Sequence, residues 1–136
     1  MDERKWFVIK MPGEKAEIID AEGQDLSLDG IRTLIGAGTV CGIEPEGLPE
    51  GCHGFADDLG LFDNWNTSPN IVRGDGEPDF VNGPVLFLGL DEESGDSVPM
   101  PLGDAKACAE WLDAHQADKN AYLAWMESHP GLLGAL

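Results

Sequence analysis

The amino-acid sequence predicts an α+β domain: a small mixed or antiparallel sheet, one helix after an N-terminal hairpin, and two C-terminal helices. Three observations carry that reading. The first 100 residues hold short apolar runs broken by Pro and Gly. The run Gly83-Pro84-Val85-Leu86-Phe87-Leu88-Gly89-Leu90 is too short for a typical helix and too apolar for the surface. After Gly103 the apolar residues recur at helical spacing instead. At 136 residues the chain is sized for one domain, with residues 1–102 as a sheet-rich body and residues 103–136 as a helical tail packed on it.

Trp6–Lys10 and residues 16–20 are runs of aromatic and branched side chains on either side of Met11-Pro12-Gly13-Glu14-Lys15, and Pro-Gly is turn chemistry, so they read as a hairpin. Asp25 or Ser27 then caps a helix whose Leu28, Ile31, Leu34 and Ile35 share one face, and Gly36 and Gly38 stop it. Residues 39–44 form a short strand that Pro45, Gly47 and Pro49 terminate. From residue 50 to residue 79 the pattern is loop-rich, with one strand around Leu59, Leu61 and Phe62 and a polar turn from Asn64 to Asn70. Residues 85–90 are the central buried strand, and residues 91–96 a charged turn. Asp104 caps a helix that runs to His115 and carries Ala107, Cys108, Trp111 and Leu112. A second helix begins near Asp118, carries Ala121, Tyr122, Trp125 and Met126, and breaks at His129-Pro130.

Charge excludes whole classes of function. Asp and Glu number 26 against 8 Lys and Arg, a formal net charge of -18 with a pI of about 4.1. Such a chain is not expected to bind nucleic acid directly or to sit on an anionic membrane. Residues 40–104 concentrate the imbalance, with 14 acids and a single base, Arg73. The hydrophobic fraction of 42% separates the chain from acidic disordered tails. Residues 1–10 lack the basic and apolar regions of a signal peptide, which leads to an expected cytoplasmic location. Cys41, Cys52 and Cys108 have no metal-ligand spacing and read as reduced thiols.

The succession of residues 28–36 (LDGIRTLIG), Ile43-Glu44-Pro45, Asn64, Pro69-Asn70 and residues 82–91 (NGPVLFLGLD) resembles the DUF3846 family of small proteins carried by phages, plasmids and conjugative elements. The resemblance spans roughly residues 5–100, and the helices after Gly103 fall outside it. It implies a mobile-element setting, in which small acidic proteins often interfere with host defence. It carries over no catalytic residue and no cofactor.

No nucleophile, base and orienting group stand at the spacing of a known motif, so no catalytic residues and no enzymatic activity are expected. Cys52 and His53 are neighbours in sequence, and adjacent side chains usually point apart. Asp75-Gly76-Glu77-Pro78-Asp79 alternates carboxylates as a calcium loop does, but Phe80 stands where that loop needs Gly and Leu86 where it needs Glu, so no metal is expected. The expected function is that of an acidic non-enzymatic binding protein. Its partner would be a basic nucleic-acid-binding host protein, whose groove the acids enter in place of phosphates. The partner-binding residues would be Asp57, Asp58, Asp63, Asp75, Glu77, Asp79, Asp91, Glu92, Glu93 and Asp96, with Trp65 as an aromatic anchor in a polar turn. The alternatives are a small-ligand or divalent-metal binding protein using the loops between residues 50 and 82, or an accessory protein whose acidity serves only solubility.

Overall fold

Alternating side chains on a pleated strand present two faces, and a sheet with apolar residues on both must be covered twice. That is the arrangement of the computed structural model, which describes residues 3–45, 47–49, 51–58, 68–72 and 80–128. Strands β1 (Trp6–Lys10) and β2 (Glu17–Asp20) form the N-terminal hairpin, with Trp6 opposite Asp20 and Ile9 opposite Glu17. Gly13 takes φ 77° in the connecting turn, a conformation that favours glycine. Helix α1 (Leu28–Ile35) follows, capped by the Ser27 hydroxyl, which accepts from the Gly30 amide at 3.2 Å. Gly36 ends it in the left-handed conformation at φ 78°.

Strands β3 (Val40–Ile43), β4 (Cys52–Asp57) and β7 (Val85–Leu90) complete an antiparallel sheet in the order β2-β1-β7-β4-β3. Short strand β8 (Ser97–Val98) pairs with the end of β7. Central strand β7 is flanked by β1 and β4, and Val85, Leu86, Phe87 and Leu88 are fully buried, as the run of apolar residues requires. On one face Phe7, Leu86 and Leu88 pack against Ile31 and Ile35 of α1. On the other, Val8, Val85 and Phe87 meet helix α2 (Leu102–Ala114) through Ala105, Cys108, Ala109 and Leu112.

A separate hairpin, β5 (Pro69–Val72) with β6 (Phe80–Asn82), extends the second layer. It is tied to the segment after α2, where the Val72 amide donates to the His115 carbonyl and the Ala117 amide to the Asn70 carbonyl, both at 2.9 Å. Helix α3 (Lys119–Glu127) is capped by Asp118 and packs on this hairpin through Tyr122, whose ring meets Phe80 edge-on at 5.2 Å.

Two expectations need correcting. The 50–79 region is not simply loop: it contains β4 and β5, which local pattern conceals. CHGFAD has one aromatic and no branched residue, and it is a strand because β3 and β7 pair with it on both sides. Asp104 is not a cap either. Helix α2 starts earlier, behind Pro101, and Asp104 lies in its first turn, where a carboxylate favours the helix dipole. The expected strand at Leu59, Leu61 and Phe62 lies outside the described residues, as do His129 and Pro130.

Candidate functional site at the open end of the sheet

Strand β7 ends at Leu90, and the chain reverses through residues 91–96 into β8. The turn is built from its own polar groups. The Asp91 carboxylate accepts from the Glu93 amide at 3.0 Å, the Asp91 carbonyl accepts from the Gly95 amide at 2.7 Å, and Ser94 caps the Asp96 amide at 3.2 Å. The Glu93 amide, the Ser94 hydroxyl and the charge of Arg4 together hold the Asp91 carboxyl below its usual range. Glu92, Glu93 and Asp96 face solvent beside it. The only ion pairs among the described residues are Lys5 with Glu3 and Arg32 with Asp29, so no described base neutralises this turn by direct contact.

Below the turn a cavity of about 400 Å³ opens between the end of β7 and the start of α2. Arg4, Asp91, Glu92 and Asp104 line it, and Cys52 and Met100 are among its apolar contacts. Gly89 makes the space: a Cβ there would stand 3.3 Å from the Met100 side chain and 3.4 Å from the Arg4 guanidinium. Cys52 lies opposite Gly89 in the ladder, with its sulfur 3.5 Å from the Met100 sulfur. Cys108 of α2 is buried in the core cluster against which Cys52 packs.

Pleating separates Cys52 from His53 as expected of neighbours on a strand. Cys52 packs with the α2 layer, whereas His53 lies against Phe55 with ring centroids 5.3 Å apart. The His53 Nε2 atom is 2.7 Å from the Ser97 hydroxyl, a hydrogen bond that ties β8 to β4 across β7. Burial lowers the His53 pKa, and the nearby charge of Glu44 opposes the shift. A serine beside a histidine has the elements of a nucleophile and its base, but this pair does not line the cavity below the turn.

The expected partner-binding acids divide into two groups. Asp91, Glu92, Glu93 and Asp96 share the turn at the open end. Asp57 and Asp58 lie at the other end of β4, where Asp57 pairs with Val40 and the Asp58 amide donates to the Thr39 carbonyl at 3.1 Å. The ladder from Cys52–Gly89 to Ala56–Val85 intervenes, a separation of roughly 15 Å at about 3.3 Å per residue. Asp63, Trp65, Asp75, Glu77 and Asp79 lie outside the described residues. Among the described residues no cluster of three or more His, Cys, Asp or Glu is placed to hold a metal ion. Sequence reasoning missed that Arg4, Met100 and Asp104 gather beside Cys52, because only the β4–β7 register and the seating of α2 bring them together.

No helix among the described residues is long and apolar enough to cross a membrane. No family model matches the chain, and no curated protein or solved structure matches it either.

Proposed function

We propose that the chain is a non-enzymatic binding protein that docks the acidic open end of its sheet on a basic protein surface. The surface that fits best is the nucleic-acid groove of a host protein, in the mobile-element setting that the family resemblance implies. One observation supports this reading above the rest: Glu92, Glu93 and Asp96 are exposed together beside Asp91 on a turn stiffened by its own hydrogen bonds, with no ion pair among the described residues. A duplex presents one negative charge per about 1.7 Å of axis, so a mimic needs carboxylates crowded on one rigid edge rather than spread over the whole surface. The -18 net charge adds long-range steering toward a basic partner.

The test is charge reversal. Asp91, Glu92, Glu93 and Asp96 changed together to Lys should abolish capture of the partner from a host lysate while the far-UV spectrum stays native. The wild-type complex should weaken steeply above about 0.15 M salt, where the Debye length is about 8 Å. Unchanged capture with unchanged salt dependence would remove the open end as the docking edge.

The small-ligand alternative rests on the about 400 Å³ cavity, a volume within the range of ligand sites. Native mass spectrometry of the purified protein separates the two readings, since a resident ligand adds mass that denaturation releases.

A further inference from the structure

We propose that the outer edge of β2 captures an extended basic peptide segment of a partner protein, which adds to the sheet as a further strand. This inference is independent of the acidic open end, since it rests on backbone groups and on a different cavity. In an antiparallel ladder, successive residues turn their N–H and C=O groups alternately toward one neighbour and the other. The Ala21 amide donates to the Lys5 carbonyl at 2.8 Å, continuing the register that sets Trp6 opposite Asp20. Residues 17, 19 and 21 therefore bond to β1, and Ile18 and Asp20 turn their amides and carbonyls outward. The bonds of β1 agree, because Trp6, opposite Asp20, exchanges both of its backbone bonds with Met100 on its other side.

Both ends of this outward row are closed by carboxylates. Asp113 of α2 accepts from the Ala16 amide at 2.8 Å, and Asp20 accepts from the Glu22 amide at 2.9 Å. Between them the backbone amides and carbonyls of Ile18 and Asp20 make no hydrogen bond to another described residue. An edge of this kind pairs with another extended backbone.

Charge selects the occupant. Residues 14–22 hold Glu14, Glu17, Asp20 and Glu22 against the single base Lys15, so the strand that fits brings positive charge. A second copy of this chain would bring the same acids to the same edge, and its net charge of -18 opposes self-pairing. Beside the edge, at the hairpin turn, Ile9, Met11, Glu14, Lys15, Ala16 and Glu17 line a cavity of about 390 Å³. Ile9 and Met11 give it apolar wall, and Glu14 and Glu17 bring carboxylates. A lysine or arginine side chain has the matching division, an apolar stem with a cationic tip. Directly opposed residues of a ladder share a face, so a peptide residue opposite Glu17 sends its side chain to the face on which Glu17 and Ile9 stand. The backbone bonds supply affinity, and the cavity supplies the preference for a basic residue.

The experiment titrates the full chain with an alternating Lys-Val peptide and follows amide hydrogen exchange by NMR. Binding should slow exchange at Ile18 and Asp20 and leave unchanged Val40 and Gly42, the outward residues of the opposite edge strand β3. An added strand offers only alternate amides to β2. N-methylation of one alternate set in the peptide should therefore weaken binding about tenfold, and methylation of the other set should not. An alternating Glu-Val peptide should not bind. Equal losses from the two methylated sets would reduce the contact to charge attraction and overturn the added strand. Absence of binding by the Lys-Val peptide, or protection at Val40 and Gly42 in place of Ile18 and Asp20, would overturn it too. Equal binding of the Glu-Val peptide would overturn the basic class of the occupant. Protection of Ile18 and Asp20 without peptide, rising with protein concentration, would make a second copy the occupant and overturn the partner peptide.

Discussion

The two ends of the central strand treat charge in opposite ways. At the Val85 end, Lys10 is buried completely beside the β5–β6 hairpin, and its ammonium donates to the Asn70 side-chain oxygen at 2.7 Å. Asn70 is buried too, and its amide nitrogen donates to the carbonyls of Lys10 and Gly83 at 2.7 and 2.8 Å. At the Leu90 end a turn rich in carboxylates meets solvent, and a cavity enters the sheet where Gly89 leaves room. An interior polar group must be matched atom by atom, whereas a solvated one is free to serve recognition. Stability should therefore be sensitive at the closed end and tolerant at the open one.

The largest expected effect is at the closed end. Asn70→Ala removes the close acceptor of the Lys10 ammonium, which keeps only the Met11 carbonyl at 3.5 Å, and the donor to two carbonyls, and should cost about 3 kcal/mol in urea unfolding. Lys10→Met combined with Asn70→Leu should cost less than the two single changes together, since no charge is then stranded. A loss below about 1 kcal/mol for Asn70→Ala would erase the contrast between the ends. Next in size is Gly54→Ala, midway along the ladder. Its new Cβ would meet the Phe87 ring at 2.5–2.8 Å, so a loss of about 1–3 kcal/mol is expected, read from the same unfolding curves.

Tyr122→Phe removes the hydroxyl that accepts from the Asn82 side-chain amide at 2.9 Å, and should lower stability by about 1 kcal/mol. The pH dependence of the closed end is subtler. Burial lowers the Lys10 pKa from its ordinary 10.5, with Asp113 and Glu14 opposing. Between the folded value and 10.5 the unfolded chain holds a proton that the folded chain has lost, so stability rises with pH across that window and levels off above it. Lys10→Met should flatten that rise in denaturation measured at alkaline pH. Smallest of all is the open end: reversing Glu92, Glu93 and Asp96 to Lys, with Asp91 kept for its bond to the Glu93 amide, should leave the urea midpoint unmoved. A large drop there would mean that the turn is structural.

The same contrast explains what the sequence reveals. Hairpin, first helix and central strand are legible, because Pro12-Gly13, Ser27 with Gly36, and the run from Val85 to Leu90 each declare themselves within a few residues. Strand β4 is not, because its partners rather than its composition make it a strand. The buried lysine is equally hidden: Lys10 ends an apolar run as solvated lysines commonly do, and only Asn70, sixty positions away, reveals that it turns inward. Of the expected site, charge pattern identifies the acidic turn, but it does not reveal that Asp57 and Asp58 stand at the other end of the sheet. That separation follows from the β4–β7 register, which is a long-range property.

Strand order has a bearing on how the chain reaches this state. The pairs β1–β2 and β3–β4 join neighbours in sequence, and either can zip locally. They share no edge until β7 arrives between β1 and β4, and β1 gains its last backbone bonds, Trp6 to Met100 in both directions, only beyond that. During synthesis two hairpins therefore wait for a strand from the second half of the chain, each with an unpaired edge. Insertion of β7 makes the long-range pairings that close both edges, and until then a surplus of carboxylates opposes their meeting another chain.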